Sequence, residues 1–182
     1  RLVGSVMCII YSSYGCSTLL QIAINNSNGL LAAAPGMTGS NYFDDWTYNN
    51  GALNLAFVQN WSVDLAKDQA IRMNDQKIVN KFQYYQTNPN DLYGQLPIRD
   101  TLKKEFSKYA PFLNDWYEHQ SYDKYWKKFS PKENYKSMNF YGLHIAGWYD
   151  IFLKGTIENY LGLKHCSKKQ QMLVIGPWHH MP

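Results

Sequence analysis

The sequence predicts an α/β fold built on a parallel sheet, and three observations carry that expectation. Short continuous apolar runs, the first of them rich in β-branched residues, alternate with helix-length segments, each run stops at small or turn-forming residues, and chemistry-bearing side chains sit where the runs stop. In open parallel sheets reactive groups gather beyond the carboxyl ends of the strands, so function is sought at the ends of these runs.

Taken in order, Val6 to Tyr11 (VMCIIY) reads as a strand buried on both faces, interrupted by Ser12, Ser13 and Gly15. From Thr18 the pattern TLLQIAI predicts a helix that Asn25, Asn26, Ser27 and Gly29 end. Leu30 to Pro35 (LLAAAP) predicts a second strand, and the Gly-, Ser- and Asn-rich text after it a loop. Between about Ala52 and Lys136 the sequence predicts polar, aromatic-rich helices broken at Pro89, Pro97, Pro111 and Pro131. Strand signals return at Tyr141 to Ile145 (YGLHI), leading into GWYD, and at Gln171 to Ile175 (QMLVI), leading into GPWHH, with a helix from Ile151 to Leu163 between them. The expected division is a sheet-bearing core over 1–44 and 139–182 with a helical insertion over 45–138.

Composition excludes several classes. With 182 residues, 45% of them apolar, the chain suffices for one globular core. The net charge of +4 arises mainly between Arg99 and Lys136, where Glu105, Asp115, Glu118 and Asp123 alternate with the lysines. Such a surface is mixed and solvated, and with no recognisable motif it argues against nucleic acid as a partner despite Lys103, Lys104, Lys124, Lys127 and Lys128. Cys8, Cys16 and Cys166 form neither a complete disulfide set nor a CxxC pair, so they leave the redox compartment open. No apolar run reaches the roughly 18 residues of a membrane span, and the N-terminal stretch lacks the pattern of a signal peptide. Location is left open, with the cytoplasm as the default expectation. Asn25-Asn26-Ser27 and Asn60-Trp61-Ser62 match glycosylation triplets, which also arise by chance.

The strand ends hold Ser13, Asp150 and the pair His179 and His180. A serine hydroxyl becomes a nucleophile when a histidine takes its proton, and a carboxylate orients and stabilises the imidazolium that forms. The order Ser, Asp, His along the chain is that of the α/β-hydrolases. Each residue also has a plainer reading: Ser13 as a turn former or helix N-cap, Asp150 as a complement to a helix dipole, and a histidine beside Pro177 and Trp178 as loop packing. Two adjacent histidines suggest a metal, but no third ligand lies at helical spacing, and no metal is predicted.

The stretches SSYGCSTLLQIA, LLAAAPGMTGSNYFDDWTYNNGALNLAF, HIAGWYDIFLKGTIENYLGL and MLVIGPWHH resemble the cocaine-esterase and X-Pro dipeptidyl-peptidase (CocE/NonD) group of α/β-hydrolase serine hydrolases, most specifically in GWYD and GPWxH. The resemblance covers nearly the whole chain. It implies Ser13 as nucleophile, Asp150 as acid and His180 as base in a two-step acyl transfer on an ester or amide, an X-Pro dipeptidyl or acyl bond among them. The backbone N–H of Tyr14 would be one oxyanion donor, and the other would be a tyrosine from an earlier strand of the family fold. No cofactor is implied. The expected partner is a small ester or a short peptide or amide, with a hydrophobic acyl or aromatic group suggested by the insertion's composition, and self-association is left open.

Two positions depart from the family motif: Tyr11 stands where glycine is expected two residues before Ser13, and Cys16 replaces a glycine three residues after it. A bulky Tyr11 is expected to open the turn or displace the helix, and Ser12 fits the nucleophile turn worse than Ser13. The family's upstream strands and its C-terminal jelly roll are not among these residues, and His180 stands two residues from the last. Weak activity of this chain by itself is therefore the expectation. The rival reading is an inactive interaction module using the aromatic-rich insertion. A buried aromatic layer favours the enzyme and a contiguous exposed patch the module.

Overall fold

The computed structural model describes residues 7–25 and 29–180, with side chains at all of these but 7–12, 101–103 and 105. Val6, at the start of the first expected strand, and Asn26 and Ser27, in a glycosylation triplet, lie outside the described residues. In chain order the elements are β1 (Met7–Ser12), α1 (Tyr14–Ile24), β2 (Leu30–Gly36), a π-helical turn (Phe43–Thr47), β3 (Tyr48–Asn49) and β4 (Ala52–Leu53). There follow α2 (Leu55–Arg72), α3 (Gln76–Thr87), α4 (Pro89–Tyr93), α5 (Ile98–Phe106), α6 (Phe112–Glu118) and α7 (Lys124–Phe129). Two short 3₁₀ turns, β5 (Tyr141–Tyr149), α8 (Leu153–Cys166) and β6 (Gln171–His179) complete the order.

Strands β1, β2, β5 and β6 pair in that order, all parallel, to form the α/β sheet that the apolar runs predict. Each step moves to the next strand in the same direction, and right-handed crossovers put α1 and α8 on the same face of the sheet. That face is where the core lies: Leu19, Leu20 and Ala23 of α1, Leu30 and Ala33 of β2, Met138 and Phe140 before β5, and Leu163 of α8 form one buried cluster. Along β5 the period-2 alternation follows, with Gly142, His144 and Ala146 buried and Tyr141 exposed. On the opposite face Tyr141, Met172 and Val174 are exposed.

The chain divides into two compact units, residues 1–46 with 123–182, and residues 47–122. The stretch 123–138, placed by the sequence in the insertion, packs within the sheet-bearing unit. Its aromatic anchor is Trp126, 2% exposed, against Phe43; Gln21 Nε2 donates to the Phe129 carbonyl at 2.5 Å, and Lys132 N–H to the Ser40 carbonyl at 3.1 Å.

The second unit consists of the β3–β4 hairpin and α2 to α6, and its aromatic residues are mostly its own core. Phe82 and Phe106 are fully buried, with Tyr85, Tyr109 and Tyr117 nearly so, among Val58, Val63, Ala66 and Leu113. The prolines act as helix starters: Pro89 opens α4, and Pro97 and Pro111 precede α5 and α6, where a missing N–H costs nothing. Asn60-Trp61-Ser62 lies inside α2 with Ser62 fully buried, a helical segment rather than the surface loop of an acceptor site.

Candidate active site

Strand register builds the site. Tyr149 of β5 pairs with His179 of β6, so Asp150 and His180 leave two adjacent strand ends together. A side chain at Gly147 would place its Cβ 2.2 Å from the Trp178 carbonyl oxygen, so the close approach of β5 and β6 at this end requires the glycine of GWYD. On the other side of the sheet Ser12 pairs with Gly36 of β2, and Ser13 leaves β1 at the same end.

Ser13 has φ 55° and ψ −128°, a conformation that side-chain-bearing residues rarely adopt and that marks a sharp strand-to-helix turn. The turn is pinned on both sides: Ser13 N–H donates to the Gly36 carbonyl at 3.0 Å, and the Ser13 carbonyl accepts from Cys16 N–H at 3.0 Å and Ser17 N–H at 3.3 Å. Those bonds start the helix at Tyr14, four residues before the TLLQIAI pattern begins. The Ser13 hydroxyl makes no cap to this helix; its Oγ lies 2.8 Å from His180 Nε2.

Cys16 accommodates the missing glycine by packing inward. It is fully buried, and its Sγ accepts from Gly36 N–H at 3.0 Å. Burial outweighs that bond and pushes the thiol up to about 11, which keeps it protonated and inert at neutral pH. The side chains of Tyr11 and Ser12 lie outside the described residues.

Asp150 is 7% exposed. Its Oδ1 accepts from Phe152 N–H at 2.6 Å, and its Oδ2 lies 2.5 Å from His180 Nδ1. A carboxylate only accepts, so Nδ1 carries the proton and donates to Asp150, which leaves the Nε2 lone pair to accept from Ser13 O–H. The plainer reading of Asp150, a carboxylate serving the start of a helix, describes one oxygen; the other faces the imidazole. The imidazole also meets the Phe152 ring edge-on, with centroids 5.1 Å apart and planes at 71°.

The structure thus brings Ser13, Asp150 and His180 into one hydrogen-bonded chain. Tyr14 stands at the first position of α1, its side chain exposed. His179 is exposed on β6, and among the described residues no group of three or more His, Cys, Asp or Glu is placed to hold a metal. Sequence reasoning missed Phe152 and the loop 37–45 that supports the site. That loop is held at Met37, whose N–H donates to the Ile145 carbonyl at 2.8 Å. It is also stitched to α8 by Thr38 N–H donating to Thr156 Oγ1 at 3.2 Å and Asn159 Nδ2 donating to the Gly39 carbonyl at 3.1 Å. Lys154 of α8 pairs with Asp44 at 2.9 Å and Asp45 at 3.2 Å. The signal present in the text was the cluster GSNYFDDW, too dense in polar and aromatic residues for a free loop.

Four parallel strands, a strained strand-to-helix turn at the first of them, and Ser, Asp and His in that chain order define part of an α/β-hydrolase fold. The family model described as X-Pro dipeptidyl-peptidase (S15 family) matches residues 7–182, and the chain belongs to that family. It is 25% identical over 173 residues to the cocaine esterase of Rhodococcus sp. (strain MB1 Bresler), a match covering 92% of this chain and 30% of the relative. Among solved structures it is similar to an aminopeptidase from a marine sediment Thaumarchaeota archaeon, with TM-score 0.68, 19% identity, and coverage of 95% of this chain and 28% of that one. It is also similar to an α-amino acid ester hydrolase, with TM-score 0.65, 19% identity, and coverage of 96% and 28%. The chain therefore spans under a third of the length of these relatives.

Proposed function

We propose that this chain carries the catalytic centre of a serine hydrolase acting on ester or amide bonds, with Ser13 as nucleophile, His180 as general base and acid, and Asp150 as the carboxylate that orients it. The observation that carries the reading is the continuous hydrogen-bonded path from Ser13 Oγ through His180 to Asp150, at 2.8 and 2.5 Å, starting from a serine in a strained turn. Family membership and the likeness to the Rhodococcus cocaine esterase support an ester or peptide-type bond as the target.

In this mechanism Ser13 Oγ bonds to the substrate carbonyl carbon while its proton passes to His180 Nε2. The carbonyl electron pair moves to oxygen, where the backbone N–H of Tyr14 at the start of α1 is the proposed donor. Asp150 stabilises the imidazolium. His180 then gives its proton to the departing alcohol or amine, leaving an acyl-Ser13 ester. Water repeats the sequence: His180 takes its proton, the oxygen adds to the acyl carbon, and Ser13 leaves with the proton returned. No cofactor is needed, because side chains and backbone donors supply every group that changes.

The test is labelling of the full-length protein with a fluorophosphonate probe, beside its Ser13→Ala and His180→Ala variants. Labelling of the parent protein that both substitutions abolish is expected. Equal labelling of Ser13→Ala, or none of a folded parent protein, would sink the proposal.

A further inference from the structure

Two hydrogen bonds do not by themselves aim an imidazole. The bond between His180 Nδ1 and Asp150 Oδ2 fixes a distance of 2.5 Å but leaves the ring able to rotate about that line, and rotation swings Nε2 away from Ser13. The carboxylate has the same freedom unless its second oxygen is also held. One residue answers both needs. Phe152 N–H donates to Asp150 Oδ1 at 2.6 Å, and its ring meets the His180 ring at 5.1 Å and 71°.

Phe152 is itself fixed. It is 1% exposed, and its ring stacks on Trp46 with centroids 4.6 Å apart and planes at 24°. Its backbone forms the N-cap of α8, where its carbonyl accepts from Thr156 N–H at 2.9 Å. Trp46, itself buried, belongs to the π-helical turn after the loop that α8 grips. A rigid helix start and a buried aromatic stack therefore stand behind the acid and the base alike.

We infer that Phe152 is a positioning residue of the proposed hydrolase: its N–H sets the Asp150 carboxylate, and its ring sets the plane of His180 so that Nε2 faces Ser13 Oγ. The inference rests on the serine-hydrolase reading. It assigns to Phe152 no contact with the reacting atoms.

The experiment uses the full-length protein with p-nitrophenyl acetate as substrate. Phe152→Leu and Phe152→Met keep the backbone N–H and much of the apolar volume but remove the ring, whereas Phe152→Tyr keeps it. Loss of ring alignment is expected to lower kcat on the order of 10- to 100-fold in the Leu and Met variants, with KM little changed. Phe152→Tyr is expected to restore kcat to near the parent level. The downfield proton resonance of the bond between His180 and Asp150 should broaden or vanish in the Leu and Met variants and persist in Phe152→Tyr.

A folded Leu or Met variant with parent kcat, or with an unchanged downfield resonance, would overturn the inference. So would failure of both to fold, which would make Phe152 a core residue alone. Ser13→Ala, measured alongside, separates the two levels. Turnover surviving in it defeats the proposed function and this inference with it; turnover lost there but kept in Phe152→Leu defeats the inference only.

Discussion

The chemistry of single residues here depends on what each polar atom is left to do. Ser13 could have capped α1, but its backbone conformation turns Oγ away from the helix and toward His180. Asp150 has one oxygen committed to a backbone N–H and the other to the imidazole, so removing the second acceptor should cost alignment and tautomer rather than fold. Asp150→Asn is accordingly expected to lower kcat by roughly 10³–10⁴-fold in the full-length protein while leaving its thermal midpoint nearly unchanged, as steady-state kinetics and a melting curve would read. The three side chains were legible in the sequence because each ends an apolar run. Phe152 was not: an aromatic two positions after an aspartate looks like ordinary packing at a helix start, and its double contact exists only once β5 and β6 lie in register.

At the scale of elements, the contact between α8 and the loop 37–45 is a tight seam near the site. A Cβ at Gly155 would stand 2.7 Å from Gly39 Cα, 2.8 Å from Ser40 N and 2.9 Å from Asp45 Oδ2. The first two are backbone atoms that cannot swing aside. Gly155→Ala should gain helix propensity yet destabilise the protein by about 1–3 kcal/mol through overpacking, a loss that urea unfolding would measure. A Gly155→Ala protein as stable as its parent would show that the seam is slack. The four strands of the parallel sheet were readable from short apolar runs, and three prolines marked the boundaries at which α4, α5 and α6 start. The seam was not readable, because Thr38 meets Thr156 and Gly39 meets Asn159 across 118 and 120 residues of chain, and no local pattern reports such partners.

The whole molecule depends on a sheet whose buried face, among the described residues, carries the titratable side chain of His144. His144 is fully buried, with Nε2 3.0 Å from Gln171 Oε1, no hydrogen-bond partner at Nδ1 among the described residues, and its ring centroid 5.9 Å from that of Tyr160. Burial outweighs the bond to Gln171 and lowers its pKa from the ordinary 6.5. The unfolded chain therefore takes up the proton more readily than the folded one. Stability from this group is complete above pH 6.5 and declines as pH falls from there toward the depressed folded value, by at most about 1.4 kcal/mol per pH unit. Urea melts between pH 7.5 and 5 should show that slope, and His144→Gln should flatten it. A parallel sheet was foreseeable from the alternation of runs and helices, whereas the packing of residues 123–138 in the sheet-bearing unit was not, since their composition matches that of the helices before them.

The hydrogen bond between Ser13 and His180 joins residues 167 positions apart. A ribosome delivers the serine well before the histidine, with α1, the second unit and α8 to be synthesised in the interval. During that interval the nascent chain displays a serine with no base to take its proton. On the proposed mechanism, hydrolytic capacity waits until His180 has been made, so through that interval a growing chain is spared an active nucleophile while its own amide bonds are still exposed.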